Sequence, residues 1–193
     1  LKGRIAVTCF ASNVARVETI AMAAQAVGRK VVLVGRSLRN LDAAARECGY
    51  LSGVLPFFSD QEAHDLPDGQ VVMIIPGRQG EPRAALTRIA LDIHPNIALG
   101  EGDTVIYSSR MIPGNERAIM QVQDNLTRNG VRVVTDKDGY MIHCSGHATS
   151  DDVRTMYDLI RPKYAIPTHG EWRHLTAPAA LAQENVSFLP ISD

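Results

Sequence analysis

Short runs dominated by apolar, largely β-branched residues recur along the first two thirds of the chain, and a helix-like segment follows nearly every one of them. A strand wetted on one face alternates apolar and polar residues, whereas a strand covered on both faces reads as a continuous apolar run. Here "GRIAVTCFA", "RKVVLVG", "GQVVMIIPG", "GDTVIYSS" and "VRVVT" are of the continuous kind. The segments between them carry helix punctuation. Ser12 or Asn13 can cap "VARVETIAMAAQAVG", which Gly28 ends, and Ser37 can cap "LRNLDAAAREC", closed by Gly49. A helix follows Pro82, and Asn115 can cap "ERAIMQVQDNLTRN", closed by Gly130, with Ile119, Val122 and Leu126 on one face. Strand and helix in alternation, with strands apolar throughout, predict an α/β fold: a mostly parallel sheet with helices on both faces.

After about Thr135 the character changes. "DKDGY" reads as a turn, "MIHCSGH" as a short strand running into a loop, and "SDDVRTMYDLI" as a helix stopped by Pro162. "KYAIPTHGE" reads as a strand with a polar end, and "LTAPAALAQEN" as a last helix. The expected organisation is one unit over 1–135 and a C-terminal α/β piece over 136–193. The 193 residues suffice for one substantial α/β domain, or for one domain and part of another. The chain opens directly on a strand, with no signal peptide, as if cut from something longer. No apolar run approaches the roughly 18 residues of a membrane span. A net charge of −1 gives no reason to expect diffuse capture of nucleic acid by a basic surface, so any such ligand must be held by local pockets. The three scattered cysteines make no disulfide framework and suggest a reducing, cytoplasmic setting.

In open parallel sheets ligands bind beyond the carboxyl ends of the strands. The residues at those ends are Ser12 and Asn13 after the first strand, and Gly35, Arg36 and Ser37 after the second. "PGRQGEP" follows the third, and "SSRMIPGNE", with Ser108 and Ser109, the fourth. Hydroxyls, glycines and arginines suit phosphate oxygens, because backbone N–H groups can approach closely and Arg binds bidentately. Any one loop is equally a set of helix caps; four on one edge set a phosphate-binding edge beside that reading. The dinucleotide spacing G-x-G-x-x-G is absent, which weakens an oxidoreductase of the Rossmann or flavodoxin kind. Four of the six histidines lie in "HCSGH" and "PTHGEWRH". Two His-Gly loops at two expected strand ends point to a site. A zinc site needs three or four ligands, however, and neither H-x-H-x-D-H, H-E-x-x-H nor C-x-x-C is present. Cys144 as a nucleophile and a Ser145–His147 hydrolase pair have little support, the latter because G-x-S-x-G is missing.

Taken in order, "FASNVARVE", "GRSL", "QGEPRAAL", "SSRMIPGNE", "HCSGHA" and "PTHGEWRHL" resemble the ribonuclease J branch of the β-CASP metallo-β-lactamase nucleases. The resemblance runs from Gly3 to about Ala182. It implies a zinc-dependent ribonuclease with two zincs per active site, combining 5′-to-3′ exonuclease activity that favours a 5′-monophosphate with endonuclease activity. It also implies that the β-CASP domain is a lid over RNA inserted in a metallo-β-lactamase domain. By the same resemblance Glu81 belongs to the first acidic motif of the β-CASP domain. His147 is the β-CASP histidine, with His143 and Ser145 beside it at the scissile phosphate. His169 is the last zinc ligand of the metallo-β-lactamase half. The loops with Ser12, Asn13, Ser108 and Ser109 line the RNA 5′-phosphate pocket; Arg36 and Ser37, at the end of the second strand, are expected to bind RNA phosphate as well. The implied partners are RNA, the missing metallo-β-lactamase half and, as one option, a second copy in a homo-oligomer. Pro76 and Arg78 depart from the Thr-Gly-Ser usual before "QGE", and Cys144 stands where valine is common. Without the H-x-H-x-D-H motif the segment alone is expected to be inactive. The competing reading is a nucleotide- or RNA-binding α/β module without catalysis.

Overall fold

Each of the five apolar runs of the first 135 residues forms a strand of one sheet in the computed structural model, which describes residues 1–112, 114–143, 148–168 and 170–183. In chain order these residues form β1 (Ile5–Thr8), α1 (Val14–Ala26), β2 (Lys30–Leu33), α2 (Arg36–Glu47), β3 (Phe58–Ser59), β4 (Val71–Ile75), α3 (Ala85–Ala90), β5 (Thr104–Tyr107), α4 (Glu116–Arg128) and β6 (Arg132–Val134). Short 3-10 turns at Glu62–Asp65 and Asp68–Gln70 lead into β4, and another at Asp136–Asp138 follows β6. The sheet is six-stranded, ordered β3-β2-β4-β1-β5-β6, and all its pairings are parallel.

Alternation within the buried strands sorts side chains onto two cores. Val72 and Ile74 of β4 join Val31 and Leu33 of β2 and Val7 beneath α1 and α2. Val71, Met73 and Ile75 join Ala6, Val105 and Tyr107 beneath α3 and α4. Ile119, Val122 and Leu126 are the buried face of α4, as their spacing predicts. Because both faces are covered, the strand interiors needed apolar residues on both sides, which is the pattern that the sequence carries, with polar residues only at strand ends such as Lys30 and Arg132.

β1 leaves its carboxyl end toward the α1 face, while β4 and β5, its two neighbours, leave toward the opposite face. Clefts therefore open beside β1 at that edge, and the loops that line them carry the candidate residues. β3 is an addition to the expected strands: Phe58 and Ser59 pair with Val32 and Leu33 at the sheet edge.

The chain divides into two units, Leu1–Cys144 and Ser145–Asp193. In the second, α5 (Ser150–Ile160) and α6 (Trp172–Gln183) pack on each other. Thr149 and Asp152 form a capping box at the start of α5, with the Asp152 carboxylate accepting from the Thr149 N–H at 2.8 Å. Among the described residues no strand follows β6, so the expected strands at Met141–His143 and around Tyr164–Pro167 are open chain. A strand needs a neighbour to receive its N–H and C=O groups, and these segments have none there. Among the described residues no helix is long and apolar enough to cross a membrane.

Candidate functional site

The candidate residues of the first unit sit at three neighbouring places along the carboxyl edge. At the end of β1, Ser12 and Asn13 are exposed and share an open cleft with Phe10 and Tyr50. Asn13 caps α1: its Oδ1 accepts from the Arg16 N–H at 3.0 Å. In the crevice between β2 and β4, Arg36 and Ser37 face Glu81, Arg83, Arg88 and His94. α2 begins two residues earlier than Ser37 requires, with Gly35 as its N-cap and no side-chain cap. The first N–H groups of α2 are thus left to the crevice rather than to a serine hydroxyl.

Glu81 projects into this crevice from a tightly folded loop. Its carboxylate accepts from the Gln79 N–H at 3.0 Å, and its carbonyl accepts from the Thr87 hydroxyl at 2.8 Å. Gly80 between them has φ +72° and lies flat against Ala118 of α4. No side chain fits there, which gives the glycine of "QGE" a physical reason. Gln79 extends the anchoring to the next loop. Its Nε2 donates to the Arg110 carbonyl at 3.2 Å, and its Oε1 accepts from the Ile112 N–H and from Asn115 Nδ2.

At the end of β5, Ser108 and Ser109 are buried. The Ser108 hydroxyl donates to the Ile142 carbonyl at 2.6 Å and accepts from the Arg16 guanidinium at 2.8 Å, and Arg16 also reaches the Ile142 carbonyl. This clasp fixes the segment that carries His143 against β1 and β5, 34 residues from Ser108 along the chain. Burial holds His143 below the ordinary imidazole range; the charges of Arg16, Arg110 and Arg78 add to this, and the Ser108 backbone opposes it in part. His143 Nδ1 is buried with no hydrogen-bond partner among the described residues. A neutral imidazole facing three guanidiniums is suited to an anionic group, which the guanidiniums attract and the ring can orient.

Arg78 lies across the end of β1 with its guanidinium over the Phe10 ring, and donates to the Arg110 carbonyl at 3.4 Å. It is 5% exposed, and burial lowers its pKa against the opposing charge of Glu81. Sequence reasoning noted Arg78 as a departure from a family motif that would either add a phosphate contact or block one, and passed over Arg16, Gln79 and Tyr107. A lone arginine three residues past a cap carries no signal that it will bridge to a serine 92 residues away. Ser145, His147 and His169 lie outside the described residues, as does Cys144. Among the described residues no three His, Cys, Asp or Glu side chains converge as a metal site.

A family model described as "Ribonuclease J, beta-CASP domain" matches residues 2–126, and one described as "Zn-dependent metallo-hydrolase RNA specificity domain" matches residues 138–188. Among curated proteins, the chain is 42% identical over 184 residues to a protein named Ribonuclease J from Sinorhizobium meliloti, covering 95% of this chain and 32% of that one. It is 46% identical over 185 residues to Ribonuclease J from Mycolicibacterium smegmatis, covering 94% and 32%. It is 36% identical over 184 residues to Ribonuclease J2 from Bacillus subtilis, covering 95% and 33%. The chain thus spans about a third of the length of the curated relatives it matches. With more than half of its residues, and the whole of its parallel sheet up to α4, inside the first match, the chain belongs to the ribonuclease J beta-CASP domain family.

Proposed function

We propose that this chain is the RNA-binding lid and part of the active site of a zinc-dependent ribonuclease that hydrolyses RNA phosphodiesters, as an exonuclease favouring a 5′-monophosphate, an endonuclease, or both. The observation that carries the reading is identity of 42–46% to proteins named Ribonuclease J over 94–95% of the chain. The carboxyl edge of the sheet supports it. The charges of Arg16, Arg110 and Arg78 act on His143 and, with burial, hold its imidazole below the ordinary range, and Arg36 and Ser37 line the next crevice with Glu81. In this reading residues 1–135 are the β-CASP domain and 136–193 the returning segment. His143, Ser145 and His147 act at the scissile phosphate, stabilising charge that develops on its oxygens. Ser12, Asn13, Arg36, Ser37, Ser108 and Ser109 hold the RNA backbone. His169 is this chain's contribution to the zinc centre. One histidine does not make such a centre, so the remaining ligands belong to a metallo-β-lactamase half. The setting is cytoplasmic, and a second copy of the whole protein is a possible partner.

Titration of the chain with one short RNA, carrying either a 5′-monophosphate or a 5′-hydroxyl, tests the binding half. The phosphorylated RNA should bind more tightly, with a shallow salt dependence because few phosphates are neutralised. Equal affinities remove the 5′-phosphate pocket from this segment. In the complete parent, His147→Ala should slow cleavage far more than it weakens binding, and Ser108→Ala with Ser109→Ala should erode the 5′-monophosphate preference. A His147→Ala parent that cleaves normally overturns the catalytic assignment.

A further inference from the structure

Behind the loop after β5 is a small cavity of about 70 Å³, separate from the clefts that hold Glu81, Ser12 and Asn13. Its walls come from Arg78 after β4, Tyr107 and Ser109 at the end of β5, Gln123 of α4, and Thr135 and Lys137 after β6. Two of these side chains are more than nine-tenths buried and incomplete. Arg78 is 5% exposed and its Nε has no hydrogen-bond partner; Tyr107 is 4% exposed and its phenol oxygen has none, among the described residues. Ser109, 7% exposed, lies beside them on the lining. A buried donor left unmade costs stability, so native structures rarely keep one without a ligand or water to receive it.

The set is one-sided. Arg78 Nε can only donate, the Tyr107 and Ser109 hydroxyls can donate, and Lys137 brings a cation to the mouth. The sole carboxylate on the lining is Asp136, exposed beside Lys137. Thr135 is occupied in the capping box with Asp138, and does not compete for the cavity. Convergent donors around a buried guanidinium fit a tetrahedral oxyanion. An oxyanion can accept from all of these donors at once, because each of its oxygens carries its own lone pairs. The volume is several times the about 10–15 Å³ that a single water needs, and far below the about 300 Å³ at which ligand pockets for larger molecules begin.

We propose that the Arg78–Tyr107–Ser109 cavity is a binding site for a phosphate-sized oxyanion, taken either as the free ion or as the terminal phosphate of a nucleotide whose sugar and base stay outside. It is distinct from the proposed scissile-phosphate site at His143. Ser109 was assigned above to the RNA path, and here it faces inward with Tyr107. The anion would tie the β4, β5 and β6 loops together, because each supplies a donor.

The probe is inorganic phosphate, added to the whole chain at constant ionic strength against chloride, with thermal stability and calorimetric heat as readouts. The wild-type chain should show a saturable rise in melting temperature and a one-to-one isotherm. Tyr107→Phe should bind about tenfold more weakly, as expected for one lost hydrogen bond to a charged group. Without phosphate the same variant should be as stable as wild type or more so, because it removes only an unpartnered hydroxyl. Arg78→Lys keeps the charge but loses the fork, and should lose most of the affinity. A 5′-phosphorylated dinucleotide that displaces phosphate identifies the terminal-phosphate source; one that binds without displacing it identifies the free ion. No saturable response in wild type, or equal responses in wild type and Tyr107→Phe, overturns the site. So does a Tyr107→Phe chain that is less stable without phosphate, since the hydroxyl then has a protein partner. A 5′-monophosphate preference of RNA that is present while inorganic phosphate gives wild type no saturable response leaves the functional reading standing while this site fails.

Discussion

Gly80→Ala and Gly28→Ala form a matched pair that tests why "QGE" needs its glycine. Both residues are in the left-handed region with nearly the same backbone angle, φ +72° and +71°. Both substitutions therefore carry the same intrinsic penalty, about 1–2 kcal/mol for an L-residue in that conformation. They differ in surroundings. A Cβ at Gly28 meets nothing within 4 Å, whereas at Gly80 it would lie 2.6 Å from the Ala118 carbonyl carbon and 2.7 Å from its oxygen. Ordinary contact begins near 3.4 Å, and the obstacle is helix backbone that no rotamer change can clear. Either α4 moves, disturbing Ile119, Val122 and Leu126 in the core, or the loop moves and Glu81 leaves the crevice. Overpacking of this kind costs about 1–3 kcal/mol. Gly80→Ala should therefore be about 1–3 kcal/mol worse than Gly28→Ala. Urea unfolding followed by far-ultraviolet circular dichroism reads the difference. The single tryptophan, Trp172, lies in the second unit and is a poor reporter of the first. Equal destabilisation of the two variants would falsify the contact argument and leave the glycine explained by its φ alone.

Gln79→Ala should cost about 2–3 kcal/mol, since it removes three hydrogen bonds of a 9%-exposed side chain at about 0.5–1.5 kcal/mol each, and amide exchange should quicken at Ile112; unchanged exchange there would show that the loop does not hang on Gln79. His94 accepts the Asn96 and Ile97 N–H groups at Nδ1, and burial depresses its pKa below 6.5, opposed by Asp60 and aided by Arg88. The folded state thus binds fewer protons than the unfolded state; the contribution is complete above pH 6.5 and is lost as the pH falls from there through the depressed value. His94→Gln should flatten stability against pH in that window, and an unaltered slope sinks the assignment. The chain alone should show no zinc-dependent RNA cleavage, because H-x-H-x-D-H is absent from the sequence; tight stoichiometric zinc together with cleavage would refute this. Limited proteolysis should cut the second unit first, as α5 buries no residue and leaves Leu159 80% exposed; first cuts within β1–β5 would reverse the expectation.

The sheet was legible because burial on both faces leaves its mark at nearly every position of β1, β2, β4 and β5, Lys30 at the start of β2 being the exposed exception. β3 was not, being two half-buried residues that follow Pro56 and hold to one edge of β2. "KYAIP" shows the opposite error: an apolar run has the composition of a strand, but a strand is completed by a neighbour, and the described residues give it none. Helices, whose hydrogen bonds are internal, were read nearly in place: α1, α4 and α5 start where expected, α2 and α6 start earlier, and α3 is shorter. Asn115 shows why a cap misleads even at the right place. It stands at the N-cap of α4 but caps nothing; its amide turns instead to Gln79, 36 residues away.

The same division governs the site. Residue types at the carboxyl edge could be read, since a parallel sheet brings every outgoing loop to that edge whatever lies between them in sequence. The pairings across loops could not. Ser108 reads as a free hydroxyl and is clasped by Arg16 and the Ile142 carbonyl. Arg78 reads as a departure beside an acidic motif and proves to be a buried guanidinium stacked on Phe10, turned toward Tyr107 and Ser109. A serine at that position would have left the cavity without its charge. The charge of this cavity is therefore decided by one side chain that crosses from the β4 loop to the Arg110 carbonyl of the β5 loop, a path that only the folded sheet defines.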